Sequence, residues 1–184
     1  MDLTAENCRK QFLLQRKNLR KKVDKSDFNV REDVAIDLFN EVCMRAANDN
    51  PIAQDLLAYL FKKGFYDIIP VNYEKYMQWE ILAAANGNQF ALEKLTLFLS
   101  FPLNEIVISE DFHYILTRNE LDNSNFNYVV GRLICEAIAD ELRLTPEKLI
   151  KDPIVHAEFD PKIMRVFDKA RNYAIPKILN YLRS

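Results

Sequence analysis

The chain holds few residues whose types and spacing could do chemistry. Neither His113 nor His156 has a second histidine or a cysteine at metal-ligand spacing, so no zinc centre is expected. His113 sits in SEDFHYILTR, where a helix-surface or half-buried role is expected, and His156 follows DPIV in a loop. Glu136 and Asp140 are four apart, with Glu141 next. Paired carboxylates can do acid–base work, but on a helix whose other face is apolar they are expected to be solvated. LDNSNFN begins like a calcium loop yet lacks the glycine and the closing glutamate, so helix capping accounts for it. Cys43 and Cys135 stand among apolar residues and read as small core residues rather than nucleophiles. Phosphate-loop, dinucleotide and nucleophile-elbow motifs are absent. The expectation is a chain with no catalytic site, no cofactor and no metal.

The elements that would position any site are helical. Only three glycines occur in 184 residues, which leaves little room for hairpin turns. Cys8, Cys43 and Cys135 are odd in number and form no CxxC pair, so reduced thiols and a cytoplasmic location are expected. No apolar run reaches the roughly 18 residues of a membrane span, so no membrane insertion is expected. Net charge is −2, but residues 1–25 carry eight basic and three acidic side chains, which puts +5 on that stretch. Residues 9–25 could therefore touch nucleic acid; the plainer reading is a solvated helix that lays Cys8, Phe12, Leu19 and Val23 on the rest of the fold.

RAANDNPIAQDLL from Arg45 is nearly rewritten as AAANGNQFALEKL from Ala83. Ala46, Ala47, Asn48, Asn50, Ala53 and Leu57 recur as Ala84, Ala85, Asn86, Asn88, Ala91 and Leu95, each 38 residues on. Every recurring position suits the end of one helix, a turn, or the start of the next. Asn50 with Pro51 reads as a cap followed by a first helical turn, and Gly64 as a left-handed stop. A helix–turn–helix unit at fixed period signals an α-solenoid, because each pair buries its apolar face against neighbouring pairs.

The stretch Ala53 to Ala91, AQDLLAYLFKKG followed by NYEKYMQWEILAAANGNQFA, resembles a Sel-one-like repeat, a relative of the tetratricopeptide family. Ala53, Leu57, Gly64, Tyr73, Lys75, Trp79, Ala83, Ala84, Gly87 and Ala91 match that pattern in order. The family's second loop glycine is missing, with Tyr66 near its place, and Tyr76 stands where alanine is usual. The likeness spans about residues 33–99 and implies helix packing for Trp79 and an adaptor role for the protein.

The expected fold is thus all-α, with a short solenoid of antiparallel helix pairs and a C-terminal helical cap or bundle. Helices are expected near 5–22, 33–47, 52–63, 73–85, 89–99, 126–142 and 161–173, with a short helix at TPEKLI and a kink or break at Pro176. A basic helix at 1–30, repeats at 31–100 and a helical region at 101–184, either degenerate repeats or a bundle, make up the organisation. On the helix from Ile52, Leu56, Leu57, Leu60 and Phe61 are expected inward, and Asp55, Ala58 and Lys62 as an exposed stripe. A protein partner is expected to touch Asp55, Lys62 and Lys94, with Tyr59 as an aromatic anchor.

Overall fold

A computed structural model of the chain describes residues 29–65, 69–98 and 123–183. The expected helix at 5–22, the basic stretch 9–25, Cys8 and His113 lie outside the described residues. Within them the chain is all-helical: seven helices, no strand, and two isolated backbone bridges (Phe65 with Ile69, Asn72 with Ala157). We number them α1 (Asn29–Ala47), α2 (Pro51–Lys63), α3 (Tyr73–Ala85), α4 (Gln89–Phe98), α5 (Asn123–Glu141), α6 (Pro146–Lys151) and α7 (Pro161–Arg183).

The described residues fall into two compact units, interleaved in sequence. Of the described residues, the first holds those up to Trp79 together with Thr145–Phe159, and the second holds those from Glu80 to Leu144 and from Asp160 onward. α3 begins in one and ends in the other.

In the first unit α1 packs on α2 and on α6. Ala35, Ile36, Phe39, Val42, Cys43 and Ala46 recur at helical spacing along α1 and are all buried, which is the apolar stripe that makes the segment a helix. α1 ends at a left-handed Asp49 with φ of 56°. The Asn50 N–H bonds the Arg45 carbonyl at 3.2 Å and the Asp49 N–H bonds the Ala46 carbonyl at 3.2 Å, the two bonds of a Schellman stop. Asn50 then caps α2, its Oδ1 accepting from the N–H groups of Ile52 and Ala53.

The second unit repeats the closing and capping bonds of that turn, although the Asn86 N–H bonds the Leu82 carbonyl where its counterpart, the Asn48 N–H, bonds that of Arg45. Gly87 has φ of 95°, the Asn88 N–H bonds the Ala83 carbonyl, and the Gly87 N–H bonds the Ala84 carbonyl. The Ala91 N–H donates to Asn88 Oδ1 and the Leu92 N–H to the Asn88 carbonyl, as Ala53 and Gln54 do with Asn50. Each bond lies 38 residues from its counterpart, so the sequence echo is one turn geometry written twice. α5 stops the same way, with Arg143 at φ of 53° and the Leu144 N–H on the Ala139 carbonyl. There the next cap, Thr145, comes one residue later.

α5 packs on α4 and on α7. A Cβ on Gly131 would come within 2.9 Å of Leu92 Cδ1, so glycine is what lets α4 approach α5 this closely. Tyr128 Oη donates to the Gly87 carbonyl at 2.6 Å and ties α5 to the turn before α4. α7 does not end before Pro176, as the sequence reading expects; it runs through the proline to Arg183. Proline withdraws the N–H that the Asn172 carbonyl would accept, but Asn172 and Pro176 both face outward, where that carbonyl stays open to solvent.

Candidate functional site

α2 is the element that carries three of the four residues expected to meet a partner. Its limits follow from local chemistry: Asn50 caps it, Pro51 opens its first turn, and Gly64 ends it with φ of 74°. Ala53, Gln54, Leu57, Ala58, Leu60 and Phe61 are buried. Gln54 is held inside because its Nε2 donates to the Ala46 carbonyl at 3.1 Å, an acceptor at the end of α1. Two expectations are corrected here. Ala58 is fully buried rather than part of an exposed stripe, and Leu56 is 38% exposed rather than inward. The helix is rotated relative to the expectation because the small Ala53 and Ala58, with the hydrogen-bonded Gln54, lie on its packed side.

What faces outward instead is a row of apolar side chains. Ile52 is 74% exposed and Tyr59 53%, and with Leu56 they stand at spacings of four and three on one side of the helix. Asp55 and Lys62 are half-buried at its edges. The Lys62 ammonium sits 4.9 Å from the centroid of the Tyr76 ring, a cation–π contact within the first unit.

Lys94, the fourth expected contact, belongs to α4 in the second unit. Its Nζ lies 2.9 Å from Glu80 Oε1, and the Glu80 side chain is almost wholly buried while the lysine is partly exposed. A carboxylate so placed needs a cation beside it. Lys94 is therefore engaged inside its own unit.

A second polar cluster, around Lys75, was not singled out for a role by the sequence. Asn72 starts α3: its Oδ1 accepts from the Lys75 N–H, its Nδ2 donates to the Val155 carbonyl, and its own N–H bonds the Phe61 carbonyl. The buried Lys75 donates from Nζ to the Leu149 carbonyl at 2.8 Å and reaches Asp152 Oδ2 at 3.5 Å. Burial lowers the lysine's pKa from its ordinary value, against the opposing pull of the Asp152 charge. With Leu149 at the end of α6 as its main acceptor, this lysine fastens the 145–159 segment to α3.

The remaining residues of chemical type stay apart. His156 is exposed, 3.3 Å from Glu158 Oε1. Glu136 pairs with Arg132 at 3.1 Å one turn away on an exposed face. Cys43 and Cys135 are buried, and burial pushes the Cys135 thiol far up. Trp79 is buried, Tyr76 likewise, and Tyr73 stacks edge-on against both Tyr76 and Phe159. No group of three or more potential metal ligands occurs among the described residues. No helix among them is long and apolar enough to cross a membrane. Comparison with protein-family models, with curated proteins and with solved structures found no match.

Proposed function

We propose that the chain is a non-enzymatic, cytoplasmic helical-repeat protein, a short α-solenoid of the Sel-one-like kind, that acts as a protein–protein interaction module or adaptor. The recurrence of one inter-helix turn at a step of 38 residues supports the repeat reading. The observation that carries the functional reading is the outward row Ile52, Leu56 and Tyr59 on α2. Three large apolar side chains in register on a capped, packed helix make a ready anchor strip for an apolar segment of a partner. Asp55 and Lys62 at its edges would set orientation, and Tyr59 supplies an aromatic anchor with a polar tip. Lys94 has a separate role through its pairing with Glu80.

The test is affinity capture with three proteins shown by circular dichroism to be folded: wild type, Ile52→Glu/Tyr59→Ser, and Phe90→Ala, a control at another exposed apolar residue. A protein retained by wild type and by the control, but lost from the double variant, supports the reading. Equal recovery by all three puts the contact elsewhere.

A further inference from the structure

α7 presents an outer face unlike any other among the described residues. Arg165, Lys169, Tyr173, Lys177 and Tyr181 follow one another at intervals of four, with Lys162 one turn before them, and all six are exposed. Residues four apart on a helix form a single ridge, here about 24 Å long at 1.5 Å per residue. The residues of α7 include six bases and one acid, a balance of +5 in a chain whose net charge is −2. That acid, Asp168, is spent on Arg171, 3.4 Å away and off the ridge. Among the described residues, Lys162, Arg165 and Lys169 have no ion pair with an acid, while the Lys177 ammonium lies 3.9 Å over the Tyr173 ring.

We propose that this ridge binds single-stranded nucleic acid. Its cations match a phosphodiester backbone, and its two tyrosines, 52% and 70% exposed, give flat rings on which unpaired bases stack. Three cations lead the ridge, and from Lys169 to Tyr181 cations alternate with aromatic rings along one line, the arrangement that such a strand needs. A duplex would offer its phosphates but no base faces. An anionic membrane would need an apolar face to insert, and α7 has turned its own apolar face, Phe167, Ala170 and Ala174, into the core of the second unit. This surface is independent of the α2 strip and of residues 9–25.

The experiment is fluorescence anisotropy of the full chain with labelled 20-nucleotide oligo-U and oligo-dT. A duplex of equal length, polyphosphate and phosphatidylserine vesicles serve as competitors. Both single strands, or one of them, are expected to bind, with log affinity falling against log salt at a slope of about −3 for four cation contacts. Tyr173→Ala and Tyr181→Ala should each weaken binding about fivefold or more without changing that slope. The triple change Arg165→Glu, Lys169→Glu and Lys177→Glu should abolish it at an unchanged melting temperature; if reversal lowers that temperature, the Gln triple takes its place. The proposal is overturned if neither strand binds at 50 mM salt, or if the triple variant binds like wild type. It is equally overturned if the tyrosine variants bind like wild type, or if duplex, polyphosphate or vesicles displace the oligonucleotide as well as unlabelled single strand does.

Discussion

Asp49 and Gly87 occupy the same place in two copies of one turn: both have positive φ, 56° and 95°, and both donate their N–H to the alanine three residues before. One copy meets the left-handed requirement with glycine and the other with aspartate, a residue that tolerates it. The strain is thus unequal between the copies, and the turn before α4 is the one built for glycine.

Gly87→Ala is expected to destabilise the protein by about 1–2 kcal/mol, since a Cβ in this conformation is strained. It would also stand 3.2 Å from Tyr128 Oη, the group that donates to the Gly87 carbonyl. Chemical denaturation of the variant beside wild type measures it; an unchanged midpoint would mean the turn has a different backbone.

Ala84 and Ala91 flank that turn and are both fully buried. Ala84→Leu or Ala91→Leu should overpack the contact and cost about 1–3 kcal/mol, read as a lower melting temperature. An unaltered melt would show that the helices do not approach closely there.

Removing the ammonium from the Lys94–Glu80 pair leaves a buried carboxylate without its cation. Lys94→Met should lower stability by about 1–3 kcal/mol at neutral pH, and adding Glu80→Gln should recover part of the loss. A double-mutant cycle by denaturant titration gives the coupling. Additive effects would mean that Lys94 is free to serve an outside partner.

Lys75 has a lowered pKa in the folded protein, because burial penalises its charged form. Between that lowered value and its ordinary 10.5 the unfolded chain holds the proton and the folded chain does not. Stability from this group therefore rises with pH across that window, and below it the cost of burying the charge is present in full. Lys75→Met should remove this alkaline rise while loosening the 145–159 segment. The readout is melting temperature against pH for both proteins, with hydrogen exchange at the Leu149–Ala157 amides. Parallel pH curves would exclude burial of the charge.

Much of the fold was legible because its signals are local. Asn50 bounds α2 through hydrogen bonds within a few residues, Pro51 by its fixed φ and Gly64 by its positive φ, and the Asn88 and Thr145 caps bond the first turns of α4 and α6 as Asn50 does. The 38-residue echo was legible as a turn because a Schellman stop and its cap need particular residues at fixed offsets. Pro176 misled, since its lost hydrogen bond is costly only where the carbonyl it abandons is dry; on the wet side of α7 the helix continues. Ending the helix at 173 cut the Arg165–Tyr181 ridge in two and hid it.

The rotation of α2 shows where local signals end. Leu56 and Leu57 are alike in sequence, and which of them is buried depends on where α1 lies. Glu80 and Lys94, fourteen residues apart, carry no mark of pairing until the α3–α4 turn folds the chain back on itself. Lys75 and Leu149 are seventy-four apart, and Asn72 and Val155 eighty-three. The caps, the repeated turn and the helix ends beside them were determined by the sequence alone, because each is closed within about one turn, whereas the end of α7 was not. Which faces are buried, which charges are engaged and which row is left outward were decided by the tertiary structure, because burial depends on neighbours that only the folded chain brings near.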